Sequence, residues 1–282
     1  MFNDTAWDII IMNPGYNGHT VISHFQCRNT HVEVVFTHAT KGESTSVFHE
    51  FVNLVEGAWK CKIFHMRRDG ESSLGNHYSQ LVRDKGWEDE VTAVDTPAQN
   101  PAEPNGKALI RRARTMRIAA KLPANLWPEI VKTSAYLGNR TPRRDLEWKT
   151  PFEAGRQFKP RLAHLNVLGA KAYVLNHNIP KKNKLDPRAF VGHLVGYDST
   201  NIFRVWVPSK NSVIRTRDVV FDPDSKYNPT ELDAAVGLSE EVDNIVSTLQ
   251  IPQDSVPEPQ EEDTELESIT VEIPTGFGYF PF

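Results

Sequence analysis

The sequence predicts a mixed α/β unit followed by a small antiparallel β-barrel and a disordered acidic tail. Three observations support this order. Residues 5–65 alternate short apolar runs and turn residues with one amphipathic stretch, which is typical of strands arranged around a helix. Four β-rich segments then follow one another at short spacing after Leu165. Beyond Asp222 the chain becomes acidic and rich in proline, a composition typical of disorder.

The apolar run Trp7–Ile11 predicts a buried strand at the start of the first unit. The turn residues Asn13–Gly18 end this strand. TVISHFQC and HVEVVFTH are predicted to form a hairpin around the turn RNT. ESTSVFHEFVNLVEGAW places apolar side chains at helical spacing and is predicted to be an amphipathic helix. KCKIFHMR then returns as a strand, so the unit mixes strands with at least one helix.

The middle of the chain is predicted to be mainly helical. A short helix over residues 76–85 and a strand in WEDEVTAV come first. One helix is expected to begin near Asn105 or Gly106 and to continue to about Ala120. Another is expected in LPANLWPEIVKTSAYLGNR, where Pro128 lies in the first turn and is tolerated there. A loop and a short helix are predicted in TPRRDLEWKTPFEAG.

The barrel is predicted from four segments, VLGAKAYVLNH, AFVGHLVGYD, IFRVWVPS and SVIRTRDVVFD. Phe203 and Trp206 in the third segment could either stack on nucleic-acid bases or form the apolar inner face of the barrel. The acidic segment Ile251–Glu267 cannot bury enough apolar surface to offset its chain entropy. We therefore expect a core at 1–120, a basic helical segment at 121–164, a barrel at 165–225 and a tail at 226–282.

The charge is distributed very unevenly along the chain. The net charge is -4, but the chain is strongly basic from Lys107 to Arg188 and strongly acidic after Asp222. A dense basic block predicts a DNA or RNA partner, and the alternative explanation is a solvated surface. The candidate contacts are Lys107, Arg111, Arg112, Arg114 and Arg117 of the predicted helix, with Lys181, Lys182 and Lys184 of the loop IPKKNKLDPR. That loop is equally consistent with a solvated hairpin.

Composition excludes several other classes of protein. No apolar run approaches the roughly 18 to 20 residues that a membrane-spanning helix needs, so no membrane partner is expected. The N-terminal segment has no basic region before its apolar run and does not resemble a signal peptide. Cys27 and Cys61 form no CxxC pair, so neither a disulfide framework nor a zinc site is indicated. We expect the chain in the nucleus or the cytoplasm.

Three carboxylates occupy positions that suggest chemistry. Asp8 lies inside an apolar strand, Asp69 follows another strand, and Glu103 precedes the basic helix. Three carboxylates that converge can hold two divalent cations, which activate water or a 3′-hydroxyl at a phosphodiester. Each residue also has a simpler explanation, because Asp8 could end an edge strand, Asp69 could belong to a turn and Glu103 could cap a helix.

A series of motifs in a fixed order resembles the integrase core of copia-type LTR retrotransposons, over roughly residues 6 to 225. The motifs are WDIIIMNPGYNG, HATKGESTSVFHEFVNLVE, RRDGESSLGN, DTPAQN, LPANLWPEIVKTSAYLGNRTP, WKTPFEA, LAHLNVLGAKAYVL and FVGHLVGYDSTNIFRVWVPSKNSVIRTRDVVFD. The resemblance implies an RNase H-like integrase core followed by an SH3-like domain. It also implies 3′-end processing and strand transfer by Asp8, Asp69 and Glu103 with two Mg²⁺ or Mn²⁺ ions. Self-association is a further expectation.

The segment around Glu103 departs from the pattern of that family. The motif is one residue shorter, and prolines stand at 101 and 104. Because proline biases the preceding residue away from the α-helical conformation, Glu103 is expected to be an N-cap or loop residue and a poor third ligand. The chain is therefore expected to be a truncated, partly degenerate integrase region with impaired catalysis. The alternatives are a non-catalytic remnant that binds nucleic acid or protein, and a relic reading frame without a stable product.

Overall fold

The computed structural model describes residues 2–69, 75–92, 102–176 and 188–229. Within these ranges the chain forms two five-stranded sheets and five α-helices. The tail from residue 230 onward lies outside the described residues, so its predicted disorder stays a prediction. None of the helices that the structure describes is long and apolar enough to cross a membrane.

The first sheet is mixed, as the sequence predicts. Its strands lie in the order β3-β2-β1-β4-β5. β1 pairs antiparallel with β2, and β2 pairs antiparallel with β3, whereas β4 and β5 continue the sheet parallel to β1. The strands are β1 (Asp4–Ile11), β2 (Val21–Cys27), β3 (Glu33–His38), β4 (His65–Asp69) and β5 (Glu88–Thr92).

One face of this sheet carries an aromatic core. Helix α1 (Ser44–Val52), extended by a π-helical turn to Ala58, and helix α2 (Gly75–Lys85) cover it. The Trp7 ring stacks against both Phe25 and Phe48, at centroid distances of 5.1 and 5.0 Å. Because side chains alternate along a strand, Trp7 points into this core and Asp8 points to the opposite face.

Helices α3 (Ala102–Ala119) and α4 (Trp127–Asn139) cover the opposite face of the first sheet. Leu109 of α3 and Ile130 of α4 are buried in one core with Ile22 of β2. The short helix α5 (Pro151–Arg156) follows, and its N-cap Thr150 accepts a hydrogen bond from the Glu153 amide at 3.0 Å.

The predicted start of α3 is wrong by three or four residues. The helix begins at Ala102, so it includes Glu103 and Pro104. Proline is tolerated here because the first turn of a helix has no intrahelical partner for its backbone N–H groups. Glu103 is therefore the second helical residue and not an N-cap or loop residue.

The second sheet is antiparallel throughout, in the order β10-β6-β7-β8-β9. The fourth predicted β segment is in fact two strands, separated by Arg217 and Asp218. These strands lie at opposite edges of the sheet, so a two-residue connection requires the sheet to curl until its edges approach each other. The strands are β6 (Ala170–Leu175), β7 (Ala189–Tyr197), β8 (Phe203–Val207), β9 (Ser212–Thr216) and β10 (Val219–Lys226).

The two sheets share helix α4 as a common layer. Trp206 of β8 is buried in the same core as Ile130, so its expected alternative as a base-stacking residue is wrong. Glu129 of α4 and Arg204 of β8 are both buried and form an ion pair, in which Arg204 Nη2 lies 3.1 Å from Glu129 Oε1. Burial alone would raise the pKa of Glu129, but Arg204 and its neighbours outweigh that effect and hold it at about 2.

Candidate functional site

Asp8 lies in the middle of β1, on the face that α3 covers. It is half-buried, and across the sheet its Cα pairs with that of His24 in β2. His24 is buried, and burial together with the positive charge of Arg112 lowers its pKa to about 3. The strand neighbour of Asp8 is therefore a neutral imidazole.

Asp69 is the last residue of β4, the parallel neighbour of β1. The strands are in register with Trp7 opposite Arg68, so the next positions along them are Asp8 and Asp69. The backbone thus sets these two aspartates side by side on neighbouring strands. The side chain of Asp69 lies outside the described residues.

The first turn of α3 packs directly on Asp8. A Cβ atom added to Gly106 would lie 2.2 Å from Asp8 Oδ2, closer than real Cβ contacts allow. Only glycine permits this approach of helix and carboxylate. Glu103 precedes Gly106 by three residues, so the two positions are neighbours on the helix surface. The side chain of Glu103 lies outside the described residues.

This arrangement brings the backbone positions of all three predicted carboxylates to one place. Carboxylate oxygens are the ligands that Mg²⁺ and Mn²⁺ prefer, so the donor set suits either cation. Among the side chains that the structure describes, no three His, Cys, Asp or Glu residues form a metal-binding group, and two of these three carboxylates are outside that set. Sequence reasoning missed Gly106 and His24. The packing of α3 on Asp8 shows the role of Gly106, and the pairing of β1 with β2 shows that of His24.

Arg112 has a structural partner within the fold, and its role as a nucleic-acid contact stays a prediction. Its guanidinium forms an ion pair with Glu33 of β3, whose side chain is only 4% exposed. Burial raises the pKa of Glu33, and Arg112 opposes this shift. Arg112 also donates a long hydrogen bond of 3.4 Å to Ser134 Oγ of α4. This arginine therefore ties α3 to the first sheet and to α4.

The exposed cations of α3 form a single row, which we call the basic stripe: Lys107, Arg111 and Arg114. Their spacing of four and three residues puts them on one face of the helix. Arg117 is half-buried and donates a hydrogen bond to the Leu122 carbonyl at 3.0 Å, so part of its capacity is used internally. The predicted contacts Lys181, Lys182 and Lys184 lie outside the described residues.

Comparison with known proteins shows what the chain is similar to. Residues 170–234 match the family model described as the retroviral polymerase SH3-like domain, and the match covers the second sheet. The chain is also 31% identical, over 85% of its length, to a retrovirus-related Pol polyprotein from transposon TNT 1-94 of Nicotiana tabacum. The chain is thus similar to a part of the Pol polyproteins of copia-type retrotransposons. This confirms the resemblance that the ordered motifs show.

A second relative agrees with that assignment. The chain is 24% identical, over 71% of its length, to a retrovirus-related Pol polyprotein from transposon RE1 of Arabidopsis thaliana. It covers only 18% of the tobacco polyprotein and 13% of the Arabidopsis one. The chain thus spans less than a fifth of the length of either relative.

Proposed function

We propose that this chain is the integrase-type region of a retrotransposon Pol polyprotein and that Asp8, Asp69 and Glu103 form its divalent-cation site. The observation that carries the proposal is the close approach of Gly106 to Asp8 Oδ2, which sets the helix turn bearing Glu103 against the strand pair bearing the two aspartates.

The topology of the first sheet supports an RNase H-like core. Three antiparallel strands are followed by two strands that continue parallel to β1, in the order β3-β2-β1-β4-β5. The carboxylates occupy the central strand, its parallel neighbour and the helix packed on them. Residues on central strands and on a helix buried against them hold a site more rigidly than loop residues do.

The carboxylates would hold the cations, and the surrounding residues would fix the carboxylates. When bound, Mg²⁺ or Mn²⁺ would activate a water or a 3′-hydroxyl and stabilise the leaving oxygen of a phosphodiester. Asp8 is held by β1 and by the contact with Gly106. His24 is neutral, so it places no competing positive charge beside Asp8.

One of the two grounds for expecting impaired catalysis loses its physical basis in this arrangement. That ground placed Glu103 outside the helix, whereas α3 includes Glu103 and accommodates Pro104 in its first turn. We therefore propose a competent site. The other ground, the motif shortened by one residue, stays a prediction.

Titration with Mn²⁺ and a strand-transfer assay on short duplexes test the proposal. Asp8→Asn should weaken Mn²⁺ binding at least about tenfold and abolish product, because it removes a charged ligand from the site. Asp84→Asn, at an exposed acid of α2, is the matched control and should bind Mn²⁺ as the wild type does. Equal Mn²⁺ affinity in the wild type and in Asp8→Asn would refute the proposed site.

The basic stripe favours a second candidate function, nucleic-acid binding that needs no catalysis. The triple variant K107Q/R111Q/R114Q should weaken duplex DNA binding. The slope of the logarithm of the affinity against the logarithm of the salt concentration should become shallower by roughly 0.9 for each phosphate that the helix no longer neutralises. K159Q/R161Q, which changes two exposed cations outside α3, is the control. If the stripe variant bound DNA more weakly while the wild type neither bound Mn²⁺ nor formed product, binding alone would be the function.

A further inference from the structure

Trp148 is the most exposed large apolar side chain among the described residues, with 71% of its surface accessible. It lies in the loop between α4 and α5, which we call the tryptophan loop: residues 143–149. A tryptophan in this setting exposes a large apolar surface to water, which folding alone would not favour. Such exposure on an ordered loop points to a binding role.

The tryptophan loop is tightly closed by backbone hydrogen bonds. The Trp148 amide donates to the Arg143 carbonyl at 2.9 Å, and the Arg143 amide donates to the Lys149 carbonyl at 3.1 Å. Glu147 and Trp148 both have left-handed backbone conformations, with φ of 56° and 64°. Consecutive non-glycine residues rarely adopt this conformation, and such strain concentrates at functional sites.

A chain of polar side-chain contacts fastens the loop to the first sheet. Arg143 donates two hydrogen bonds to Asp145, at 3.0 and 2.8 Å, and Asp145 lies 3.2 Å from His31 Nε2 in the turn between β2 and β3. The side chain of Trp148 is therefore presented from a loop that is held at both ends and in the middle.

Two exposed cations flank the tryptophan. Arg144 and Lys149 are both exposed, and neither forms an ion pair within the part of the chain that the structure describes. Asp145 is already paired with Arg143, so exposed Glu147 is the remaining acidic side chain of the loop. The loop thus combines a flat aromatic surface with two cations available to an anion.

We propose that the tryptophan loop binds single-stranded nucleic acid, with an unpaired base stacked on Trp148 and backbone phosphates contacting Arg144 and Lys149. Stacking on an exposed aromatic side chain tolerates any base, because every base has a π-face. The neighbouring cations favour a polyanion over an apolar protein surface. This site uses none of the three carboxylates and none of the residues of the basic stripe, so it goes beyond the proposed function.

Fluorescence anisotropy with an oligo-dT single strand tests the proposal. Trp148→Ala should weaken binding about 5- to 100-fold, as removal of one stacked base does, and Trp148→Phe should restore most of the affinity. R144Q/K149Q should weaken binding and reduce its salt dependence. The control is Val220→Ala, which truncates another apolar side chain that is 70% exposed.

Tryptophan fluorescence gives a second, independent readout. Four other tryptophans are buried and Trp59 is half-buried. Quenching of the tryptophan fluorescence by oligo-dT should therefore come mainly from Trp148 and disappear in Trp148→Phe. Unchanged oligo-dT affinity and unchanged quenching in folded Trp148→Ala would overturn the inference. Self-association that is abolished in that variant, with oligo-dT affinity intact, would overturn it in favour of a protein interface. Either result leaves the Mn²⁺ site of the proposed function untouched.

Discussion

Replacing Gly106 with alanine tests the contact between α3 and Asp8. The added Cβ would lie 2.2 Å from Asp8 Oδ2 and 3.2 Å from Ile10 Cδ1, whereas real Cβ atoms keep at least 3.0 Å from their neighbours. The carboxylate or the helix must therefore move by about 0.8 Å. Because the carboxylate is the end of a short rotatable side chain, we expect it to turn away while the helix keeps its place.

The expected effect on stability is small, and the expected effect on the site is large. Alanine favours a helix over glycine by about 1 kcal/mol, which offsets much of the cost of the close contact. A displacement of about 1 Å in a reacting group can reduce a rate about a hundredfold. Gly106→Ala should therefore unfold within about 1 kcal/mol of the wild type and still lose Mn²⁺ binding and strand transfer.

The assay combines urea unfolding with Mn²⁺ titration of the same preparations. A ligand at about 100 times its dissociation constant stabilises a folded protein by about 2.7 kcal/mol, so saturating Mn²⁺ should stabilise the wild type and not the variant. Gly57→Ala is the control, because no atom from outside its own stretch of chain lies within 4 Å of the Cβ position of Gly57. Wild-type Mn²⁺ affinity in Gly106→Ala would refute the reasoning.

Two further predictions concern buried ion pairs. Arg112→Met should destabilise the chain by about 1–3 kcal/mol because it leaves buried Glu33 without its charged partner. Arg111→Met, on the exposed side of the same helix, should change stability by less than about 0.5 kcal/mol. Equal effects of the two variants in urea unfolding would contradict the assigned geometry. Arg204→Met should lower the free energy of unfolding by about 3–5 kcal/mol, because it leaves buried Glu129 without its arginine partner. The pKa of Glu129 is held at about 2, below its ordinary value of 4.5. The ion pair therefore stabilises the fold above pH 4.5 and loses that contribution as the pH falls toward 2. Between pH 5 and pH 3, the free energy of unfolding should fall more in the wild type than in Arg204→Met.

Local patterns in the sequence were sufficient to predict most of the fold. The apolar run at Trp7–Ile11 and the helical spacing around Phe51 specify their elements without help from distant residues. The start of α3 was predicted wrongly, because the local preference imposed by Pro104 was weighed without the sheet that the helix packs on. Pro104 lies in the first turn of α3, where a proline removes no intrahelical hydrogen bond, so the helix can begin before it.

The candidate site could be predicted only as a set of residue types. Asp8 stood out because a carboxylate is costly inside an apolar strand. The partnership of Arg112 with Glu33 could not be predicted, because it joins residues far apart in the sequence across a helix and a sheet. The exposure of Trp148 was equally hidden, because it depends on how the tryptophan loop closes on itself.

The most direct test of the central claim is the anomalous diffraction of crystals soaked in Mn²⁺. We predict strong peaks within coordination distance of carboxylate oxygens from Asp8, Asp69 and Glu103, roughly 2.0–2.5 Å for hard divalent cations. Peaks that reach the two aspartates but leave Glu103 directed away from the metal would contradict it, as would the absence of any peak beside Asp8.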